Sequence, residues 1–124
     1  MKIQVNPDSY KNIFKINDKE IKLPIGFYQY EKIKELMVIT LIWDNPRIKD
    51  KLNRNRNIWS YNENGEKEWE IEDRLKSMKC EGYELDPYTG FYKEEEKIIV
   101  TTFGGFYGEL DIDTGKVKDW KWSR

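Results

Sequence analysis

Phe14, Ile16, Ile21, Leu23 and Ile25 alternate with polar residues on either side of Asn17-Asp18-Lys19. This period-two pattern predicts a hairpin from residues 10–16 and 20–25 with one buried face. Pro24 lacks a ladder donor, so the second strand lies at a sheet edge or ends early. Tyr10, Ile13, Phe14 and Asn17 also fit a helical stripe, the competing reading of this stretch. Residues 30–36 fit either helix or strand. Residues 37–43, Met-Val-Ile-Thr-Leu-Ile-Trp, are apolar on both parities, which predicts a strand covered on both faces near the middle of the domain. Asp44-Asn45-Pro46 then supplies a cap and a proline at a first helical position, and Ile48 and Leu52 stand four apart, predicting one or two helical turns. Asn53-Arg54-Asn55-Arg56-Asn57 returns to loop.

Ile58-Trp59-Ser60-Tyr61 and Lys67-Glu68-Trp69-Glu70-Ile71 flank Asn62-Glu63-Asn64-Gly65, and two registers are open. A two-residue turn at Asn64-Gly65 sets Ser60 opposite Trp69 and Trp59 opposite Glu70, mixing apolar and charged residues on each face. A three-residue turn with a glycine bulge sets Trp59 opposite Trp69 with Tyr61 and Ile71 on the same side. The second separates the faces and is the register expected here. Glu66, Glu68, Glu70 and Glu72 then project together from the opposite face.

Farther on, Leu75 and Met78 allow a helical turn in a connector. The pattern Glu-Leu-Asp-x-x-Thr-Gly then occurs twice, at 84–90 and 109–115, a spacing of 25 residues, with Gly65 another 25 upstream. Asp-x-x-Thr-Gly is turn chemistry, because the Asp side chain bonds the backbone two residues on and the Gly accepts a left-handed conformation. Both copies are expected to be hairpin turns, the first within residues 83–93. Glu94-Glu95-Glu96-Lys97 makes a polar turn, residues 98–103 a β-branched strand, Gly104-Gly105 a bend or bulge, and residues 106–111 with 116–122 the last hairpin. The chain is therefore expected to be one domain, residues 1–124, and mainly β, with β-rich α+β left open. Six to ten antiparallel strands form a small barrel or a sandwich, with one or two short helices.

The 124 residues suffice to bury a core without staples, and the single cysteine, Cys80, admits no internal disulfide and suits a reducing cytoplasm. The N-terminus turns polar before a signal-peptide core can form, and no apolar run approaches bilayer length, so a cytoplasmic protein without membrane contact is expected. With 22 basic and 23 acidic side chains, net charge −1, no global field draws nucleic acid. The charges are segregated, however. Arg47, Lys49, Lys51, Arg54 and Arg56 enclose one acid, Asp50, whereas residues 63–73 hold six acids and one base, Lys67. Aromatic content is 15%, enough to build a β-rich core from large rings.

The sequence has no histidine, which removes the commonest general base, the Ser-His and Cys-His nucleophile pairs and most zinc sites. Cys80 without a partner reads as a buried apolar filler. Gly104-Gly105-Phe106-Tyr107-Gly108 lacks the spacing of a phosphate loop. Asp111-Ile112-Asp113-Thr114-Gly115 begins like a calcium loop but has Lys116 where the glycine belongs and Trp122 where the bidentate glutamate belongs. No cofactor, metal or catalytic residue is assigned, and the chain does not read as an enzyme. Glu66, Glu68, Glu70 and Glu72 form either the solvated side of an edge strand or a docking surface for a basic partner. Arg47, Lys49, Lys51, Arg54 and Arg56 form a secondary basic patch, bracketed by Trp43 and Trp59, with the same choice between solvated loop and binding site.

Residues 108–120, Gly-Glu-Leu-Asp-Ile-Asp-Thr-Gly-Lys-Val-Lys-Asp-Trp, resemble a blade repeat of the pyrroloquinoline-quinone type of β-propeller, and residues 59–69 a degenerate copy. The likeness ends at the hairpin, since a propeller needs more blades than this chain holds, and no quinone site is carried over. Across residues 37–122 the apolar strand, Asn55-Arg56-Asn57-Ile58-Trp59-Ser60-Tyr61-Asn62-Glu63-Asn64-Gly65, Trp69-Glu70-Ile71 and the terminal Asp-Thr-Gly hairpin look like small bacterial immunity proteins of polymorphic toxin systems. That resemblance implies a cytoplasmic, non-catalytic antidote that binds a basic cognate toxin domain and occludes its active site. A small-molecule-binding β-barrel and a carboxylate-dependent hydrolase are the alternatives.

Overall fold

The computed structural model describes residues 1–5, 12–42, 54–77 and 85–123. Eleven strands among them form three antiparallel sheets. The first contains β1 (Ile3–Val5), β2 (Ile13–Ile16) and β3 (Lys19–Lys22). The central sheet runs β4 (Phe27–Ile33), β5 (Leu36–Leu41), β6 (Ile58–Tyr61) and β7 (Lys67–Glu70) in that order. The third contains β8 (Tyr88–Glu94), β9 (Lys97–Thr102), β10 (Phe106–Leu110) and β11 (Val117–Trp122). A 3-10 turn, Arg54–Arg56, precedes β6, and one helical turn, α1 (Arg74–Ser77), follows β7. The architecture is mainly β and sandwich-like, with no closed barrel among the described residues. The described strands exceed the ten expected by one, and the sandwich has three sheets.

Two cores explain the layering. Phe14, Ile16, Ile21 and Leu23 of the first sheet pack on Phe27, Met37, Ile39, Leu41, Trp59 and Tyr61 of the central one. On the other face, Ile33, Val38, Ile58, Trp69 and Ile71 pack on Tyr88, Phe91, Ile98, Val100, Leu110 and Val117 of the third sheet. The central sheet is thus the filling of a three-layer sandwich, and β5, apolar on both parities, sits inside it with Met37 to Leu41 all buried. Alternation in β2 and β3 likewise gives the expected half-buried hairpin, turned at Asn17 and Asp18 with φ of 48° and 69°.

The expected three-residue turn of the β6–β7 hairpin forms, with Gly65 at φ 76° and the Asn62 N–H on the Glu66 carbonyl at 2.9 Å, but the same layering shifts the register beyond it by one residue. Trp59 pairs with Glu70 and Ser60 with Trp69, with a bulge that brings Tyr61 opposite Lys67. Separating apolar from polar faces holds only for a sheet with one wet side. β6 has none, all four of its residues being buried, so Trp59 and Trp69 go to opposite cores.

The two Glu-Leu-Asp-x-x-Thr-Gly copies also diverge. The second is the expected turn between β10 and β11: the Asp113 N–H donates to Asp111 Oδ1 at 2.9 Å and Gly115 takes φ 79°. A Cβ on Gly115 would stand 2.9 Å from the Trp69 ring, so glycine also permits the turn to seat on β7. The described part of the first copy is not a hairpin. Residues 88–94 are one strand, Asp86 is buried against Arg74, and Gly90 lies inside β8. The helical turns expected within residues 44–52 and the side chain of Cys80 lie outside the described residues.

Candidate functional site

Five two-strand turns carry most of the polar tips of this molecule, and neighbouring tips connect into one rim. The Asn17 side-chain amide donates to the Glu63 carbonyl at 3.0 Å and Lys19 Nζ to the Asn64 carbonyl at 3.2 Å, joining the β2–β3 turn to the β6–β7 turn. The β4–β5 turn lies at that same end of the central sheet, because Ile33 pairs with Leu36 and Met37 with Tyr61. Lys34 of this turn shares a cleft of about 730 Å³ with Glu95 and Glu96 of the β8–β9 turn and Asp111, Asp113 and Lys116 of the β10–β11 turn. The turn residues therefore expose eight carboxylates, Asp18, Glu35, Glu63, Glu66, Glu95, Glu96, Asp111 and Asp113, against two lysines, Lys34 and Lys116, and the Lys19 ammonium that reaches Asn64. Lysines return on the flanking strands at Lys93, Lys97 and Lys118, so the negative field is concentrated at the tips.

Only Glu66 of the four acids singled out from sequence belongs to this rim. Glu68 accepts the Asn62 side-chain amide at 2.6 Å. Glu70 pairs with Lys67 at 2.6 Å, and the same ammonium sits 4.0 Å over the Trp59 ring. Glu72 is half-buried and accepts the Val117 N–H of the third sheet. Glu70 lines a groove of about 450 Å³ with Arg56, Lys76 and Lys116, and Glu72 lines both that groove and the 730 Å³ cleft. The four do not form one acidic face, because β7 ends at Glu70 and Glu72 is drawn to the last hairpin.

The basic patch is likewise divided. Arg47, Lys49 and Lys51 lie outside the described residues. Arg54 and Arg56 are half-buried in the 3-10 turn, at the end of the central sheet away from the β4–β5 and β6–β7 turns. Arg56 donates to the carbonyls of Ile71 (3.1 Å) and Glu70 (3.2 Å), finishing the open edge of β7. The acids at residues 18, 35, 63, 95, 96, 111 and 113 were absent from the sequence-based site. For all but Glu35, whose turn the sequence did not predict, the signal was an acid in a predicted turn, but turns up to 95 residues apart in the chain reveal their common rim only when folded.

Carboxylates inside the molecule are already engaged. Asp86 pairs with Arg74, both side chains 4% exposed, and accepts the Gly104 N–H at 2.6 Å. Asp73 accepts the Leu75 N–H at 3.0 Å and the Asn55 amide at 3.4 Å. Neither is poised for acid–base work. No group of three or more metal-binding side chains occurs among the described residues, and no helix among them is long and apolar enough to cross a membrane.

Two buried phenols respond to pH. Burial, reinforced by the Glu70 charge, pushes Tyr61 from an ordinary value near 10 up to about 12. Tyr88 donates to the Glu72 carbonyl at 2.7 Å and is also held protonated, chiefly by burial and then by the neighbouring carboxylates. Folding thus favours the neutral phenols, so their contribution is full below pH 10, where unfolded tyrosine ionises, and declines as pH rises from 10 toward 12. Urea midpoints measured from pH 8 to 11 should be flat and then fall, and Tyr61→Phe should make the fall shallower. An unchanged slope in that variant would remove Tyr61 from the account.

The chain belongs to the family described as Domain of unknown function (DUF7957), whose model matches residues 5–122. No curated protein and no solved structure matches it.

Proposed function

We propose that this member of the family is a non-catalytic antidote of the immunity-protein type, which presents its rim of acidic turns to a basic toxin domain and covers that domain's active site. The observation that carries the reading is the convergence of eight exposed turn carboxylates from all three sheets on one rim. Carboxylates on rigid hairpin tips steer a basic partner during encounter and are held in place by the sandwich behind them. The absence of histidine and the engagement of Asp73 and Asp86 favour binding over hydrolysis. The resemblance of residues 37–122 to immunity proteins supplies the class of partner.

The test is recovery of a partner on the tagged protein at low and high salt, followed by stopped-flow association. Reversing Glu63, Glu66, Glu95 and Glu96 to lysine should slow association about 10- to 100-fold at low salt and much less at high salt. An unchanged rate at low salt would refute the rim as the docking surface. Recovery of a partner without toxin activity would refute the antidote role. A second reading rests on the 730 Å³ cleft, whose floor includes Ile33, Ile98, Leu110 and Val117 and whose walls carry both charges; it suits an amphipathic small molecule.

A further inference from the structure

β8 is the outermost strand of the third sheet and β4 the outermost strand of the central sheet, and side chains of β4 reach β8 without a strand ladder between the two sheets. The backbone of β8 is nevertheless satisfied on that side. The Tyr88 N–H donates to Asn57 Oδ1 at 2.8 Å, and Asn57 Nδ2 returns a bond to the Tyr88 carbonyl at 2.8 Å. Gln29 does the same for Phe91, accepting its N–H at 3.1 Å and donating to its carbonyl at 2.7 Å. Between them, the Tyr28 hydroxyl donates to the Thr89 carbonyl at 2.6 Å. A primary amide carries a donor and an acceptor as a peptide does, so each side chain reproduces the two-bond exchange of a narrow antiparallel pair.

The two amides are themselves oriented. Thr40 Oγ1 donates to Gln29 Oε1 at 3.0 Å, and Asn57, 1% exposed, also reaches the Leu41 carbonyl at 3.3 Å. Gly90 makes room for the approach, since a Cβ there would stand 2.9 Å from Gln29 Oε1.

We infer that Gln29 and Asn57 act as a surrogate strand that stops β8 from pairing with the β8 edge of a second copy of this chain. The need for such a guard is written in β8 itself. Its first five residues, Tyr88-Thr89-Gly90-Phe91-Tyr92, carry no charge and no proline, the devices that normally protect an edge. The outer strand at the other side of this sheet, β11, has Lys118, Asp119 and Lys121 together with an irregular register against β10 and φ 56° at Asp119, and needs no cover.

Gln29→Met keeps the volume of the side chain and removes both bonds, and is the deciding variant because Gln29 is only half-buried. Amide exchange at Phe91 should accelerate by about tenfold or more, and sedimentation should show concentration-dependent self-association beyond that of the parent chain. Adding Thr89→Lys, a charge on the opened edge, should restore the parent's behaviour and so separate edge pairing from general aggregation. Asn57→Leu should act in the same way at Tyr88. Where Asn57→Leu does not fold, Gln29→Met decides. Unchanged Phe91 exchange, or faster exchange with no added self-association, would overturn the inference.

Discussion

Asp86→Ala should lower unfolding free energy by about 3–5 kcal/mol, the range for breaking one side of a buried ion pair. Its removal leaves the Arg74 guanidinium charged, 4% exposed and 4.1 Å over the Phe106 ring, and takes away the acceptor of the Gly104 N–H. Urea denaturation at neutral pH measures the loss. Asp86→Asn keeps an acceptor for Gly104 and should fall between the parent and Asp86→Ala. The double variant Arg74→Met/Asp86→Leu should recover much of the loss, because it removes the buried charge along with the carboxylate. A loss under about 1 kcal/mol for Asp86→Ala would mean that water reaches Arg74, contrary to its burial.

Trp69→Ala should be of similar size, about 3–5 kcal/mol, as for other large-to-small changes at buried aromatic positions. Trp69 is where the last hairpin is seated: Gly115 approaches its ring, and its indole N–H donates to the Ile112 carbonyl at 2.8 Å. Glu72 adds two bonds beside it, its N–H to the Gly115 carbonyl at 3.0 Å and its carboxylate accepting the Val117 N–H. Trp69→Phe keeps most of the ring and loses the Ile112 bond, so it should cost about 1–2 kcal/mol. Because Asp111 and Asp113 ride on that turn, Trp69→Ala should also loosen one part of the acidic rim. Amide exchange at Val117 would report that loosening directly, and protection equal to the parent's would show that the hairpin holds without the indole.

Several elements were legible because their causes are local. Asn17-Asp18, Glu95-Glu96 and Asp111–Gly115 turn the chain where polar residues tolerant of turn geometry interrupt apolar alternation, and the strands on either side followed from the pattern. The β5 strand announced a position between two layers by being apolar on both parities. The β6–β7 turn was legible, but the register beyond its bulge was not, because period two separates faces only where one face is wet, and β6 is buried on both. The sign of that second buried face lay in the neighbouring strand, β5, rather than in the hairpin.

The acidic site was legible in kind but not in place. Glu66 was correctly exposed, whereas Glu70 and Glu72 were taken by Lys67 and Val117, partners that no rule of strand alternation supplies. Asn55 and Asn57 looked like loop formers and instead hold Asp86 and Tyr88, each 31 residues away; Gln29 holds Phe91 at a separation of 62.

By itself the sequence determined the strand-rich composition of this protein, most of its turns, the lack of histidine chemistry and the placing of acids at hairpin tips, because backbone propensity and side-chain type act over a few residues. Tertiary structure alone decided that three sheets stack with the inner strands of the central one covered on both faces, that identical seven-residue patterns become a turn in one place and a strand in another, and that five separate turns meet on one rim. The physical reason is that alternation records how many faces of a strand are buried. Which surface covers each face, and which distant backbone claims a polar side chain, is settled only by packing the whole chain at once.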